Sequence, residues 1–143
     1  VTVNRPTTTK TRVVARAQQL LRFDEEEDHD FVGAEVERIA DAAVAAIATA
    51  DALVLEDYNK GVLVPAVIEG AIQMAKARGL PIVVDPKFRN FFAYRGATVF
   101  KPNRRELESA LGAAVDLDHP AALPATFSRT NNRDDVVMGT RNS

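Results

Sequence analysis

Cysteine is absent from this chain of 143 residues, which excludes a disulfide framework and any thiolate metal site. That absence fits a reducing compartment, and the expected location is the cytoplasm. Tryptophan is absent too, and the two histidines, His29 and His119, stand far apart in polar segments, where solvation is expected rather than a metal pair. No apolar run approaches the roughly 18 residues that span a bilayer, and no basic start followed by an apolar stretch marks a secretory signal. A membrane is therefore not expected among the partners. A surplus of positive charge is also missing: the formal net charge is -2, which argues against a general nucleic-acid binder. Neither a G-x-G-x-x-G opening a helix nor a G-x-x-x-x-G-K-[ST] loop occurs, so any nucleotide must be held without these phosphate cradles. A G-x-S-x-G elbow and a Ser-His-Asp set are missing as well. The first residue is Val1 rather than Met, and residues are expected to precede it.

What is present suffices for one domain with a modest core: 46% of the residues are apolar. Residues Arg12 to Phe23 mix β-branched and long side chains with spaced charges and predict two short strands with a turn near Ala17–Gln19. Val36, Ile39, Ala40, Ala43, Val44 and Ile47 recur at helical spacing and predict a helix from Ala34 to Thr49. The run Ala52 to Leu55 reads as a strand buried on both faces. A second helix is expected from about Val64 to Arg78, with Pro65 in its first turn, Val64, Ile68, Ala71 and Ala75 as its core stripe, and Gly79 at its end. Pro81 to Val84 and Ala97 to Phe100 supply two more strands, and a third helix starts at Pro102-Asn103 and reaches about Leu111, with Gly112 beyond. This alternation with short connections predicts a parallel α/β sheet. From about Asp116 the pattern fades, Val136-Val137-Met138 being one short candidate strand. The sheet is expected to be incomplete within this chain.

Two charge runs stand out. Asp24 to Asp30 reads DEEEDHD, for which a solvated face is the expectation. Between Lys87 and Arg105 lie Lys87, Arg89, Arg95, Lys101, Arg104 and Arg105 with no carboxylate among them. This segment overlaps the loops where an α/β sheet binds ligands.

Three polar clusters follow the predicted strands. Asp57-Tyr58-Asn59-Lys60-Gly61 comes after the first and reads, by itself, as a turn. Asp85-Pro86-Lys87 comes after the second and reads as a strand stop with a surface lysine. Asn103-Arg104-Arg105-Glu106 comes after the third and reads as a capping box, Asn at the N-cap and Glu three positions on. The carboxyl ends of parallel strands converge on one crevice, so the joint placement favours a site. A Glu at such a helix start can hold a metal-bound water, and amide donors there face anions. Capping and catalysis are compatible.

Taken in order, RPTTTKTRVVARAQQLLRFDEE, ALVLEDYNKGVL, PIVVDPK and YRGATVFKPNRREL resemble the ribokinase (PfkB) family of carbohydrate kinases, closest to the heptose 7-phosphate kinase domain found alone or fused to an adenylyltransferase. The resemblance covers roughly Arg5 to Gly112. It implies a ribokinase-like three-layer α/β sandwich, with a lid hairpin over about 11–24, an α/β core over about 33–112 and an irregular tail over 113–143, all one partial kinase domain. It implies transfer of a phosphoryl group from ATP to C1 of D-glycero-D-manno-heptose 7-phosphate, with Mg²⁺ as cofactor. Asn103, Arg104, Arg105 and Glu106 would then bind ATP, Glu106 and Asn103 would hold Mg²⁺ through water, and Asp57, Lys60, Asp85 and Lys87 would line the phosphate and sugar crevice. Lys10, Arg12 and Arg16 would belong to the lid, which by analogy would clasp a second copy into a homodimer. The family's G-A-G-D anion hole and catalytic base, and its N-terminal glycine-rich sugar-binding region, are not in this sequence, so the chain alone is expected to be an inactive internal fragment. Another PfkB-family sugar or nucleoside kinase, or a non-catalytic α/β fragment, are the competing expectations.

Overall fold

The structure, a computed structural model, describes residues 3–116. Among them, β1 (Thr9–Ala15) and β2 (Gln18–Glu25) pair antiparallel as a separate two-stranded sheet. Then follow α1 (Ala34–Ile47), β3 (Leu53–Glu56), α2 (Pro65–Ala77), β4 (Ile82–Asp85), β5 (Val99–Phe100) and α3 (Arg104–Leu111). The second sheet is parallel, in the order β3-β4-β5. The α/β class is as expected, with small shifts at the ends. The β3 and β4 strands each run one residue past the apolar stretch, because the ladder continues through Glu56 opposite Asp85. Only Val99 and Phe100 of the third apolar run pair as a strand.

The hairpin turn falls at Arg16–Ala17, before the expected position. Both residues are left-handed, φ 48° and 67°, as a two-residue turn that matches the strand twist requires. Neither is the Asn or Gly that normally announces such a turn, which is why the sequence pointed one residue too far along. A register shift between Val13 and Val14 adds a bulge.

Helix α2 holds the centre of the core. Pro65 occupies its first turn, where a missing N–H costs nothing. Val67, Ile68, Ala71, Ile72 and Ala75 form its buried stripe, and Gly79 (φ 67°) follows its C-cap, Arg78. Arg78 also reaches back to the C-terminus of α1, donating to the carbonyls of Ile47 and, at 2.8 Å, Ala50. The Ile47 carbonyl otherwise takes only a 3.2 Å bond from the Ala50 amide, and the Ala50 carbonyl lies past the helix end, so the cation completes both. The core gathers α2, the sheet and an aromatic group in which Phe91 meets Phe100 edge-on, ring centroids 5.1 Å apart. Helix α1 contributes less than its periodicity promised: only Ile47 of its stripe is fully buried. The expectation that β3 is covered on both faces also needs correction. It is an edge strand among the described residues, and Val54 is 65% exposed. No helix among the described residues is long and apolar enough to cross a membrane. The candidate strand at Val136-Val137-Met138, His119 and most of the 113–143 tail lie outside the described residues.

Candidate functional site

The three charged loops leave the sheet at one level. The Asp57 amide donates to the Asp85 carbonyl at 3.0 Å and the Lys101 amide to the Val84 carbonyl at 2.9 Å, so the backbone ladder extends past the strand ends and ties the loops side by side. Asp57, Asp85 and the Asn103–Glu106 helix start therefore share one edge.

Asp57 is not a free crevice carboxylate. It is 4% exposed, its Oδ2 accepts from the Tyr94 hydroxyl at 2.7 Å and its Oδ1 from the Asn59 amide at 2.7 Å. The second bond closes an Asx turn and holds Asn59 left-handed, φ 53°. Tyr94 is itself buried, and burial first, then the Asp57 bond, push its hydroxyl far above the ordinary tyrosine range. The pair fixes the shape of the loop that presents Lys60.

Asp85 pairs with Lys101 at 2.8 Å. Lys87 pairs with Glu106, and that hydrogen bond is the main reason its ammonium is raised above the ordinary lysine value. Glu106 is fully engaged: Oε1 takes Lys87, Oε2 accepts from the Asn103 amide at 2.9 Å, and its own amide donates to Asn103 Oδ1 at 2.9 Å. The capping box is thus present, and the same carboxylate also anchors the loop after β4. Arg104 and Arg105 sit exposed on the first turn of α3, without an ion pair among the described residues. Among the described residues no three His, Asp or Glu side chains converge to hold a metal. A divalent ion accompanying a nucleotide fits this edge only as a water-bridged neighbour of Glu106, since such ions keep several waters and lean on phosphates.

Beside β3 a cavity of about 560 Å³ opens between the sheet and the β1–β2 hairpin. Its lining includes Lys10 and Thr8 from the hairpin side, Glu26, and Asp57, Tyr58 and Lys60 from the loop. Glu26 bridges Lys10 at 3.3 Å and Lys60, while Lys10 also pairs with Asp24 at 2.8 Å. Of the three cations expected in a lid, only Lys10 reaches this cavity. Arg12 and Arg16 are exposed, Arg16 inside the turn itself. The acidic run is more than the expected solvated face. In extended chain its alternate residues share one side, and Asp24, Glu26, Asp28 and Asp30 each make an ion pair, the last two with Arg89 at 3.2 and 3.8 Å. Much of the basic segment is correspondingly neutralised by carboxylates from elsewhere in the chain. Sequence reasoning missed Glu26, Tyr94 and Arg5. The even spacing of the acids was a signal for Glu26; nothing local announced the other two. Arg5 stacks 4.0 Å over the Phe31 ring and donates to the carbonyls of His29 (3.0 Å) and Lys60 (2.5 Å). The Phe31 amide donates to the Gly61 carbonyl at 3.0 Å.

A parallel sheet with charged loops at its carboxyl edge and a two-stranded hairpin beside them is the ribokinase-like arrangement. Solved structures agree. A possible 1-phosphofructokinase from Thermotoga maritima matches with TM-score 0.62 at 13% identity, over 95% of this chain and 42% of that one. A point mutant of phosphofructokinase-2 from Escherichia coli matches with TM-score 0.62 at 19% identity, over 93% and 44%. The pfkB family carbohydrate kinase model matches residues 1–139, and the chain belongs to that family. The bifunctional protein HldE of Azorhizobium caulinodans is 48% identical over 138 residues, 96% of this chain and 29% of that protein. The protein of the same name from Caulobacter vibrioides is 48% identical over 114 residues, 80% of this chain and 23% of its own length. The chain thus spans less than a third of these curated relatives.

Proposed function

We propose that residues 1–143 are part of one kinase domain that transfers the terminal phosphoryl group of ATP to the C1 hydroxyl of D-glycero-D-manno-heptose 7-phosphate in the cytoplasm. The observation that carries this reading is the alignment of three charged loops, Asp57–Lys60, Asp85–Lys87 and Asn103–Glu106, on one sheet edge. Phosphoryl transfer needs positioning and cations more than covalent help. The N-terminus of α3, with Arg104 and Arg105 exposed on its first turn, is suited to the nucleotide phosphates, and Lys60 and Lys87 to charge at the crevice. Mg²⁺, when bound with ATP, would neutralise phosphate charge; Glu106 would hold one of its waters, Asn103 keeping the helix start in shape. The similarity to the HldE proteins supports heptose as the sugar. The lid strands expose Val13, Leu21 and Phe23, which register places on one face, and this apolar face supports a homodimer clasped through the lid.

The test is Glu106→Gln in the full-length kinase. Gln can still accept from the Asn103 amide, so the cap persists and stability changes by about 1 kcal/mol or less. Turnover should fall on the order of 100-fold with the melting curve nearly unchanged. Normal turnover removes Glu106 from the nucleotide site.

A further inference from the structure

Two lysines fifty positions apart in sequence, Lys10 on β1 and Lys60 on the loop after β3, are bridged by one carboxylate, Glu26, and all three line the cavity beneath the lid. Resting on the kinase reading above, we propose that Lys10 and Lys60 form the binding pair for the phosphate already carried by the sugar substrate, and that Glu26 occupies that place until the substrate displaces it.

The carboxylates of this protein differ in how firmly they are held. Glu106 and Asp57 accept from backbone amides, which no ligand can replace without breaking a helix cap or a turn. The Glu26 carboxylate has only the two ammonium groups as hydrogen-bond partners among the described residues. Lysine ammonium groups are compact point charges on flexible stems and exchange one oxyanion for another without a geometric penalty. A phosphate offers the same oxygens with greater charge, so it matches the pair that Glu26 now neutralises. Asp24 stays on Lys10 at 2.8 Å and keeps that side chain aimed when Glu26 leaves. Glu26 itself must move, since a phosphate dianion beside it would meet like charge.

The spacing fits a substrate with charge at one end and its reacting hydroxyl at the other. Lys60 follows β3, and the α3 N-terminus follows β5, two strands across the sheet. At about 4.8 Å per strand, the two anion sites stand roughly 10 Å apart. Glu26 immediately follows β2, so its departure breaks a tie between lid and core that the substrate phosphate then remakes through Lys10 and Lys60.

Titration calorimetry on the full-length kinase tests this with three probes: heptose 7-phosphate, unphosphorylated heptose and inorganic phosphate. If Glu26 holds the pair about nine-tenths of the time, Glu26→Gln should tighten both phosphate-bearing probes roughly 10-fold. Lys60→Gln should weaken both by about 10-fold, and neither variant should alter binding of unphosphorylated heptose. Unchanged or weaker phosphate binding by Glu26→Gln, with a wild-type circular dichroism spectrum, overturns the proposal. Should that variant misfold, Lys60→Gln decides alone: undiminished phosphate binding overturns it. Tighter inorganic phosphate with no heptose 7-phosphate binding supports the lysine pair and sinks only the heptose reading.

Discussion

Replacing Tyr94 with Phe deletes a single oxygen from the core, and the consequence can be worked from its one partner. The Tyr94 hydroxyl donates to Asp57 Oδ2 at 2.7 Å, with the two residues 1% and 4% exposed. Hydrogen bonds to charged groups contribute about 1.5–3 kcal/mol, and a buried acceptor left without its donor loses that in full. About 2 kcal/mol of stability should go, which for a domain of this size lowers the melting temperature by roughly 6–12 °C. The pH dependence gives a second reading. Burial holds the native Tyr94 hydroxyl protonated well above the ordinary range, whereas the unfolded chain releases that proton near pH 10. Above about pH 10 the unfolded state binds fewer protons than the native one, so wild-type stability falls as pH rises, by up to about 1.4 kcal/mol per unit. Phenylalanine has no such proton. The difference between wild type and Tyr94→Phe should therefore be full at pH 8 and shrink steadily above pH 10. Urea melts followed by circular dichroism at several pH values measure both effects. A difference under about 0.5 kcal/mol would refute the assigned hydrogen bond, and one that stays constant to about pH 11.5 would refute the buried, protonated hydroxyl.

Gly61 has φ 75°, and a Cβ there would collide with the backbone carbonyl of His29. Gly61→Ala should cost about 2–3 kcal/mol and speed hydrogen exchange at the Phe31 amide, which bonds to Gly61; protection equal to wild type would contradict the close approach. Ala17→Gly relieves a left-handed alanine in the hairpin turn and should slow exchange of the β1 and β2 amides, corresponding to about 0.5–1 kcal/mol; faster exchange would show the turn to be otherwise. Deleting residues 11–24 from the full-length kinase should raise its monomer fraction in light scattering, and an unaltered dimer would place the clasp elsewhere.

The order of strands and helices in the parallel part was readable because each element declares itself locally. The α2 stripe and Pro65 mark one helix, and two short apolar runs ending in charged turns mark β3 and β4. The capping box of α3 was readable for the same reason, since Asn103 and Glu106 are three positions apart. Long-range pairing was not. Asp57 was visible as a turn residue, but its burial depends on Tyr94, 37 positions away. Arg89 was visible as a cation, while its partners Asp28 and Asp30 lie some sixty positions earlier. The exposure of Val54 likewise depends on what neighbours β3, which four apolar letters do not encode.

Arg5 has a consequence for the sequence of events in folding. It joins the segment before the hairpin to His29 and Phe31 after it and to Lys60 on the core, a contact spanning 55 positions. The β1–β2 hairpin is closed by a two-residue turn and needs only neighbours a few positions away, so it can form within microseconds. Its seat cannot exist that early, because the Lys60–Gly61 loop takes its shape from Asp57 and Tyr94, which require the sheet and the aromatic core. Contacts of such separation arise only after the loop entropy between them has been overcome. The Arg5 contacts are therefore expected to close late, and weakening them should hasten the hairpin's detachment while leaving the speed of core assembly untouched.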